Sequence, residues 1–205
     1  MTPTHLDILQ SFKQDKVNLP DPVGEVGNCA SVALIKASIE VLGLGNIFKQ
    51  TKAGDTYQVT FLSGKQVSFT EKELARSTQV AGLKALKAND PGKQIMYDEI
   101  FSCANLCMCA MTKSVMEIGE AGDGIGDFEV ALRALNDGAN TPNLPYKLGL
   151  DDHFLGRKMW RNTSGAGLIG WLKGHTVYIS HDVWDDYGTP ATNVIRYPFR
   201  MQITK

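Results

Sequence analysis

Two residues far apart in the chain carry the side chains of a cysteine nucleophile and its base. Cys29 opens an apolar run at residues 29–42, and His175 opens a strand-like run near the other end. A thiol reacts as the thiolate, and a helix N-terminus and a nearby imidazolium both lower a thiol pKa. The pair therefore predicts acyl transfer, in which Cys29 attacks a carbonyl carbon and His175 moves the proton.

The local sequence predicts helices that would position the cysteine. Residues 29–42 have the pattern of a buried helix, apolar on almost every side, with Asn28 as N-cap and Gly43 at its end. Residues 95–116 are expected to form a second long helix. Asp127 is expected to cap a third helix, because an acidic side chain directly before an apolar run is typical of a helix N-terminus.

The C-terminal part predicts strands that would carry the histidine. Residues 175–184 and 193–199 have the pattern of two strands joined by a longer loop at 185–190. Farther upstream, residues 56–61 and 66–70 alternate between apolar and polar side chains and predict a hairpin.

Composition limits the classes of function. The 205 residues are 43% hydrophobic and 21% charged, with a net charge of −1, so no basic surface for nucleic acid is expected. The N-terminal residues lack the pattern of a signal peptide, and no apolar run is long enough for membrane insertion. Three of the four cysteines crowd into one segment, which does not resemble a disulfide framework. We expect a cytoplasmic protein, or one exported without a cleaved signal peptide.

Short segments resemble calpain-type cysteine peptidases, in the order in which that family has them. Residues 24–29 resemble the active-site segment Q-G-x-x-G-D-C-W without its first residue, with Asn28 where the family has Asp. Residues 172–178 are loosely similar to the histidine segment G-H-A-Y-x-V. The other matching segments are residues 54–61 with 67 (G-x-Y-x-V-x-F), 97–112, 124–132 and 194–199 (L-x-R-N-P-W).

The resemblance implies an α+β fold of the papain-like, two-lobed kind over residues 1–205 as a single domain. A helical lobe, about residues 1–138, would contain the central helix with Cys29. An antiparallel β-rich lobe, about residues 139–205, would contain His175. The active site would lie in the cleft between the two lobes.

The resemblance also implies how the oxyanion is held, with one departure. The Cys29 backbone N–H and Asn28 are expected to contribute to this site. The family's glutamine, six positions before the cysteine, is replaced by Val23, which has no donor. Another segment would have to supply the missing donor, and the candidates are Gln10, Gln14 and Asn18.

The residue that orients the histidine is the second departure. The family's asparagine aligns with Tyr197, and Asn193 lies four residues earlier on the same face of a straight strand. Asp182 and Asp185 are alternatives from a neighbouring strand or loop. The expected catalytic set is therefore Cys29 and His175, with Asn193 or Tyr197 as the third member.

No metal or other cofactor is expected. Cys103, Cys107 and Cys109 lack a clear fourth ligand, although His153 or His181 can be imagined, so they are interpreted as buried thiols. Calpain-type cores bind calcium, but no calcium ligands can be matched. The glycine-rich loop at residues 119–126 lacks the spacing of acidic ligands in an EF-hand.

The predicted function is a cysteine-dependent peptidase or amidase acting on a protein or peptide. The loss of polar side chains at Val23 and Tyr197 leaves open a non-catalytic calpain-like binding module. A papain-like deamidase or acyltransferase effector is also open, because the same thiol–imidazole pair serves those reactions. The acidic cluster Asp182, Asp185 and Asp186 is interpreted as a solvated turn, or else as a determinant for basic substrates.

Overall fold

The computed structural model describes residues 2–15, 27–118, 124–137, 140–156, 163–192 and 197–205, and the backbone of 18–19 and 24–25. The helices are α1 (His5–Ser11), α2 (Cys29–Leu42), α3 (Glu71–Val80), α4 (Pro91–Glu117), α5 (Phe128–Asn136) and α6 (Leu144–Lys147), with a 3-10 turn at Thr141–Asn143. The strands are β1 (Phe12–Gln14), β2 (Asn18–Leu19), β3 (Gly24–Glu25), β4 (Phe48–Ala53), β5 (Thr56–Phe61), β6 (Gln66–Thr70), β7 (Leu83–Ala85), β8 (Phe154–Leu155), β9 (Leu168–Leu172), β10 (His175–Ser180), β11 (Val183–Asp186), β12 (Thr189–Ala191) and β13 (Phe199–Ile203). The chain is therefore an α+β protein with antiparallel sheets, as the sequence predicts.

Helix α2 is the centre of the fold. Every side chain from Ala30 to Ile39 is buried, because α1, α4 and strand β10 all pack against this helix. Gly43 ends it with φ at +90°, and its N–H donates to the Ile39 carbonyl at 2.9 Å. The predicted helix, its N-cap position at Asn28 and its terminating glycine are confirmed.

A six-stranded antiparallel sheet contains His175. The strand order is β12-β11-β10-β9-β13-β8, and two-residue turns at 173–174, 181–182 and 187–188 connect β9 to β12 in sequence. The turns at 173–174 and 187–188 lie at the same end of this meander. The first residue of β10, His175, therefore comes close to the turn at 187–188.

The predicted single strand over residues 175–184 is wrong. His181 and Asp182 have φ values of 51° and 63°, which form a left-handed turn that splits the segment into β10 and β11. Tyr187 and Gly188 form a second turn of this kind, with φ values of 49° and 85°. The expected long loop at 185–190 is therefore also wrong, since the chain turns within two residues there.

Helix α2 and strand β10 run side by side in the same direction. Cys29 lies with His175 at one end, and Glu40 accepts from Tyr178 and Ser180 at the other. Eleven residues of helix and five residues of strand both span roughly 16 Å, so the two elements match in length between these points. One helix on one strand thus produces two separate polar clusters.

The predicted hairpin is confirmed as β5 and β6, and a third strand extends it. Strand β4 pairs with β5 to give the order β4-β5-β6. The sequence pattern does not predict β4, because only Phe48 of this strand is buried and its other five side chains are exposed and mostly polar. An edge strand of this kind has no apolar alternation to reveal it.

Helix α4 begins earlier than the sequence pattern predicts. Asp90 caps it by accepting from the Lys93 N–H at 2.8 Å, and Pro91 occupies the first turn, where its missing N–H costs nothing. Asp127 caps α5 as expected, by accepting from the Val130 N–H at 2.9 Å. Among the described residues, no helix has both the length and the apolar character needed to cross a membrane.

Several of the sequence predictions fall wholly or partly outside the described residues. These are Val23, Asn193, the first four residues of the predicted strand at 193–199, and most of the loop at 119–126. Strand β13 begins at Phe199, where that predicted strand was expected to end. The predicted lobe boundary near residue 138 falls between α5 and the 3-10 turn, and the six-stranded sheet lies wholly after it.

A buried lysine joins the helical part to this sheet. Lys36 of α2 is fully buried, and its Nζ donates to the Leu9 carbonyl at 2.8 Å, the Phe12 carbonyl at 2.6 Å and Asp185 Oδ2 at 2.6 Å. Burial lowers the pKa of Lys36, and Asp185 opposes that shift. The second Asp185 oxygen accepts from the Gly188 N–H at 2.6 Å, so the ion pair also holds the 187–188 turn.

We expect Lys36→Met to reduce the free energy of unfolding by about 3–5 kcal/mol, because it leaves the Asp185 carboxylate buried without its cation. Urea unfolding measures the change. Lys65→Met is the matched control, since Lys65 pairs with Asp151 at an exposed site and its loss should cost about 1 kcal/mol or less. Equal losses in the two variants would contradict the assignment.

Candidate active site

Cys29 is the first residue of α2 and is a free, half-buried thiol. The Asn28 side chain makes no capping hydrogen bond to this helix. Because the first N–H groups of a helix have no intrahelical partner, the thiol lies beside uncapped donors at the positive end of the helix dipole. This position favours an oxyanion that forms on a carbonyl attacked by the thiol.

The residues before Cys29 are anchored to two other helices. The Gly27 N–H donates to the Asn136 carbonyl at 2.5 Å, and Asn28 Nδ2 donates to the Ala81 carbonyl just after α3. Beside these bonds, Asn136 Nδ2 donates to the Val80 carbonyl at 3.1 Å. The side chain of Asn28 is therefore used to fix the start of α2. Its expected part in the oxyanion site is corrected, because its buried amide group is engaged with α3.

His175 begins β10 directly after the 173–174 turn and is half-buried. Its ring stacks on Tyr187, with ring centroids 5.7 Å apart and 26° between the planes. Burial lowers the pKa of His175, and the charges of Asp186 and then Asp185 act in the opposite direction. The imidazole is therefore neutral through a wider pH range and has carboxylates near enough to stabilise its protonated form.

Cys29 and His175 line the same narrow cleft, which has a volume of about 20 Å³. Val32 and Ala33 of α2 form part of its apolar wall, and Gln14 and Tyr187 also line it. The structure thus brings together the two residues that the sequence predicts as nucleophile and base. No motif in the sequence sets Tyr187 apart from the other aromatic residues of the chain.

Of the two sequence candidates whose side chains the structure describes, Gln14 lines the cleft and Gln10 does not. Gln14 ends β1, which pairs with β7 in the register Gln14↔Leu83. Gln10 lies on α1, and Asn18 is described by its backbone alone. A glutamine amide in the cleft can supply the oxyanion donor that this chain lacks at Val23. Gln14 would do so from a segment that lies earlier in the chain than Val23.

The acidic cluster divides into three different roles. Asp182 accepts from Thr163 at the far end of β10 from His175, so it is excluded as the residue that orients the histidine. Asp185 is buried, and its carboxylate accepts from Lys36 Nζ and from the Gly188 N–H. Asp186, at the end of β11, is the carboxylate with the largest electrostatic effect on His175.

Tyr197 is a buried residue that lies close to the site. It packs with Leu168, Val177 and Ile179 in a small cluster on the sheet, and its ring meets Trp184 edge-on at 6.4 Å. Burial, and then the charges of Asp186, Tyr187 and Cys29, raise the pKa of Tyr197 to about 12. Tyr197 is therefore a neutral phenol near the site, and its predicted role in orienting His175 remains a prediction.

The remaining three cysteines differ from one another in burial and in the direction of their pKa shifts. Cys107 and Cys109 are buried, and their pKa values are raised, for Cys107 by the hydrogen bond with Cys103 and burial and for Cys109 chiefly by burial. That hydrogen bond lowers the pKa of Cys103. Within the described part of the chain, none of the three belongs to a cluster of metal-ligating side chains.

Comparisons of this chain with family models, with curated proteins and with solved structures find no match in any of the three. The resemblance to calpain-type peptidases therefore depends on the short motifs of the chain itself.

We expect iodoacetamide to alkylate Cys29 at pH 7 faster than Cys107 or Cys109, because only Cys29 lies at a helix N-terminus beside an imidazole. His175→Ala should slow this alkylation by about tenfold as the imidazole is lost. Mass spectrometry of timed samples gives the rate for each cysteine. His153→Ala is the control, and a Cys29 rate no faster than that of the buried thiols would refute the pairing.

Proposed function

We propose that this protein is a papain-like cysteine hydrolase that cleaves a peptide or amide bond in a protein or peptide substrate. The observation that carries the proposal is the cleft shared by Cys29, at the start of α2, and His175, at the start of β10. A central helix that supplies the thiol and an antiparallel sheet that supplies the imidazole are also what a two-lobed, papain-like fold requires.

The proposed reaction has two halves. His175 accepts the proton of the Cys29 thiol, and the resulting thiolate adds to the substrate carbonyl. The tetrahedral intermediate collapses to a thioester as protonated His175 gives that proton to the leaving amine. Water then attacks the thioester while His175 accepts a proton from it. The second collapse releases the carboxylic acid and the thiolate, which takes the proton back from His175.

Two groups are proposed to hold the oxyanion. The Cys29 backbone N–H is one donor, because no intrahelical partner exists for it at the start of α2. The Gln14 amide is the other, since it lines the cleft together with the thiol. Gln14 would thus replace the family's glutamine, which this chain has as Val23.

Asp186 is proposed as a positioning residue that stabilises protonated His175. Its charge raises the pKa of His175 against the effect of burial. Tyr187 would hold the imidazole ring by stacking and would cover it from solvent on one face. Asn193 remains a candidate for the same role.

The same pair also suits a deamidase or an acyltransferase, in which an amine replaces water in the second half-reaction. Incubating the protein with a peptide library in the presence and absence of a primary amine distinguishes these reactions, because only an acyltransferase couples the amine. Loss of all products in both Cys29→Ala and His175→Ala supports the proposal. Turnover that survives both substitutions would exclude it, and a well-folded protein without turnover would favour the binding module.

We expect Gln14→Ala to reduce kcat by about 100- to 1000-fold, because it removes one oxyanion donor. Measuring kcat and KM separately on a cleaved peptide tests this, since KM should change much less. Gln10→Ala on α1 is the matched control and should retain activity. An unchanged kcat in Gln14→Ala would remove Gln14 from the site.

We expect Asp186→Asn to lower the pKa of His175 further, since the favourable charge is lost while burial remains. An NMR titration of the His175 ring protons measures the shift. Asp182→Asn is the control, because that carboxylate lies at the opposite end of β10. A pKa that moves equally in both variants would contradict the assignment of Asp186.

A further inference from the structure

A second polar cluster lies at the other end of α2 from the thiol. His5 begins α1, Glu40 lies in the last turn of α2, and His181 lies in the turn between β10 and β11. Each offers one potential ligand atom, and the three atoms lie within 4.8 Å of one another. The two imidazole rings are stacked, with centroids 4.6 Å apart. Three strong metal-ligating groups thus converge from three separate elements.

The Glu40 carboxylate is held in a fixed orientation within this cluster. Its Oε2 accepts from the Gly167 N–H at 2.6 Å and the Tyr178 hydroxyl at 2.9 Å, and its Oε1 accepts from Ser180 Oγ at 2.5 Å. The side chain is only 10% exposed, and Oε1 lies 3.6 Å from His181 Nδ1. One carboxylate oxygen therefore faces the imidazoles.

Ser180 lies beside both His181 and Glu40. Its Oγ lies 2.6 Å from His181 Nδ1 and donates to Glu40 Oε1. Nδ1 is therefore the ring nitrogen that faces the carboxylate, 3.6 Å from Glu40 Oε1. An ion bound through Nδ1 would replace the contact with Ser180, and Nε2 would then carry the proton.

We infer that His5, Glu40 and His181 form a binding site for a divalent transition-metal ion of the zinc class. Two imidazoles and one carboxylate suit zinc, whereas calcium and magnesium prefer oxygen ligands alone. Tetrahedral zinc with bonds of about 2.0–2.1 Å needs ligand atoms roughly 3.3 Å apart. The three ligand atoms lie within 4.8 Å of one another, so His5 and His181, whose side chain is 52% exposed, would move closer together to hold the ion.

The ion would connect α1, the end of α2 and the β10–β11 turn, with its fourth position open to water. It lies about 16 Å along α2 from Cys29, so its binding is independent of the proposed active site. The sequence analysis expected no metal, because these three residues are far apart in the chain and belong to no motif.

Titration of the metal-free Cys29→Ala protein with Co²⁺ and Zn²⁺ tests the inference, since this background removes the thiol–imidazole pair as a competing site. We expect one ion per chain by calorimetry and the visible absorption of four-coordinate Co²⁺. His5→Gln and His181→Gln should each weaken binding by about tenfold or more, and His153→Gln is the matched control. Circular dichroism verifies that the variants are folded.

Two results would overturn the inference. One is the absence of stoichiometric binding by the folded Cys29→Ala protein. The other is an affinity that neither His5→Gln nor His181→Gln changes, which would assign the ion to the remaining thiols or to another site. Neither result bears on the proposed hydrolase, whose tests depend on Cys29 and His175.

Discussion

The buried Lys36 ammonium is the interaction on which the arrangement of this protein depends. Its Nζ donates to the Leu9 carbonyl near the end of α1, to the Phe12 carbonyl at the start of β1, and to the Asp185 carboxylate on β11. A buried cation needs all of its donors satisfied, so these segments have little freedom to move relative to α2. Two of these contacts, at Phe12 and Asp185, lie two residues before a side chain that lines the cleft.

The consequences for the cleft follow from chain connectivity. Phe12 precedes Gln14 by two residues, and Asp185 precedes Tyr187 by two residues and holds its turn through the Gly188 N–H. Lys36 itself lies two turns after Cys29 on the same helix. The contacts of Lys36 thus fix Gln14, Cys29 and Tyr187 relative to one another.

The pairing of one helix with one strand separates the two polar clusters described above. Helix α2 and strand β10 span nearly the same length and are buried between their ends. The polar groups of the two clusters lie at opposite ends of this pair. At one end they are the thiol and the imidazole, and at the other they are Glu40 with His181 and His5.

The sequence by itself determined the elements with strong local signals, namely helix α2 with its glycine stop, the β5–β6 hairpin, and Cys29 and His175 as the candidate pair. Those signals are local, because apolar periodicity and backbone φ depend on neighbouring residues. Only the tertiary structure decided that Gln14 reaches the cleft, that Asp186 rather than Asp182 lies near His175, and that His181 faces Glu40. Strand register and two-residue turns set these contacts, and a shift of one residue would turn each side chain to the other face of the sheet.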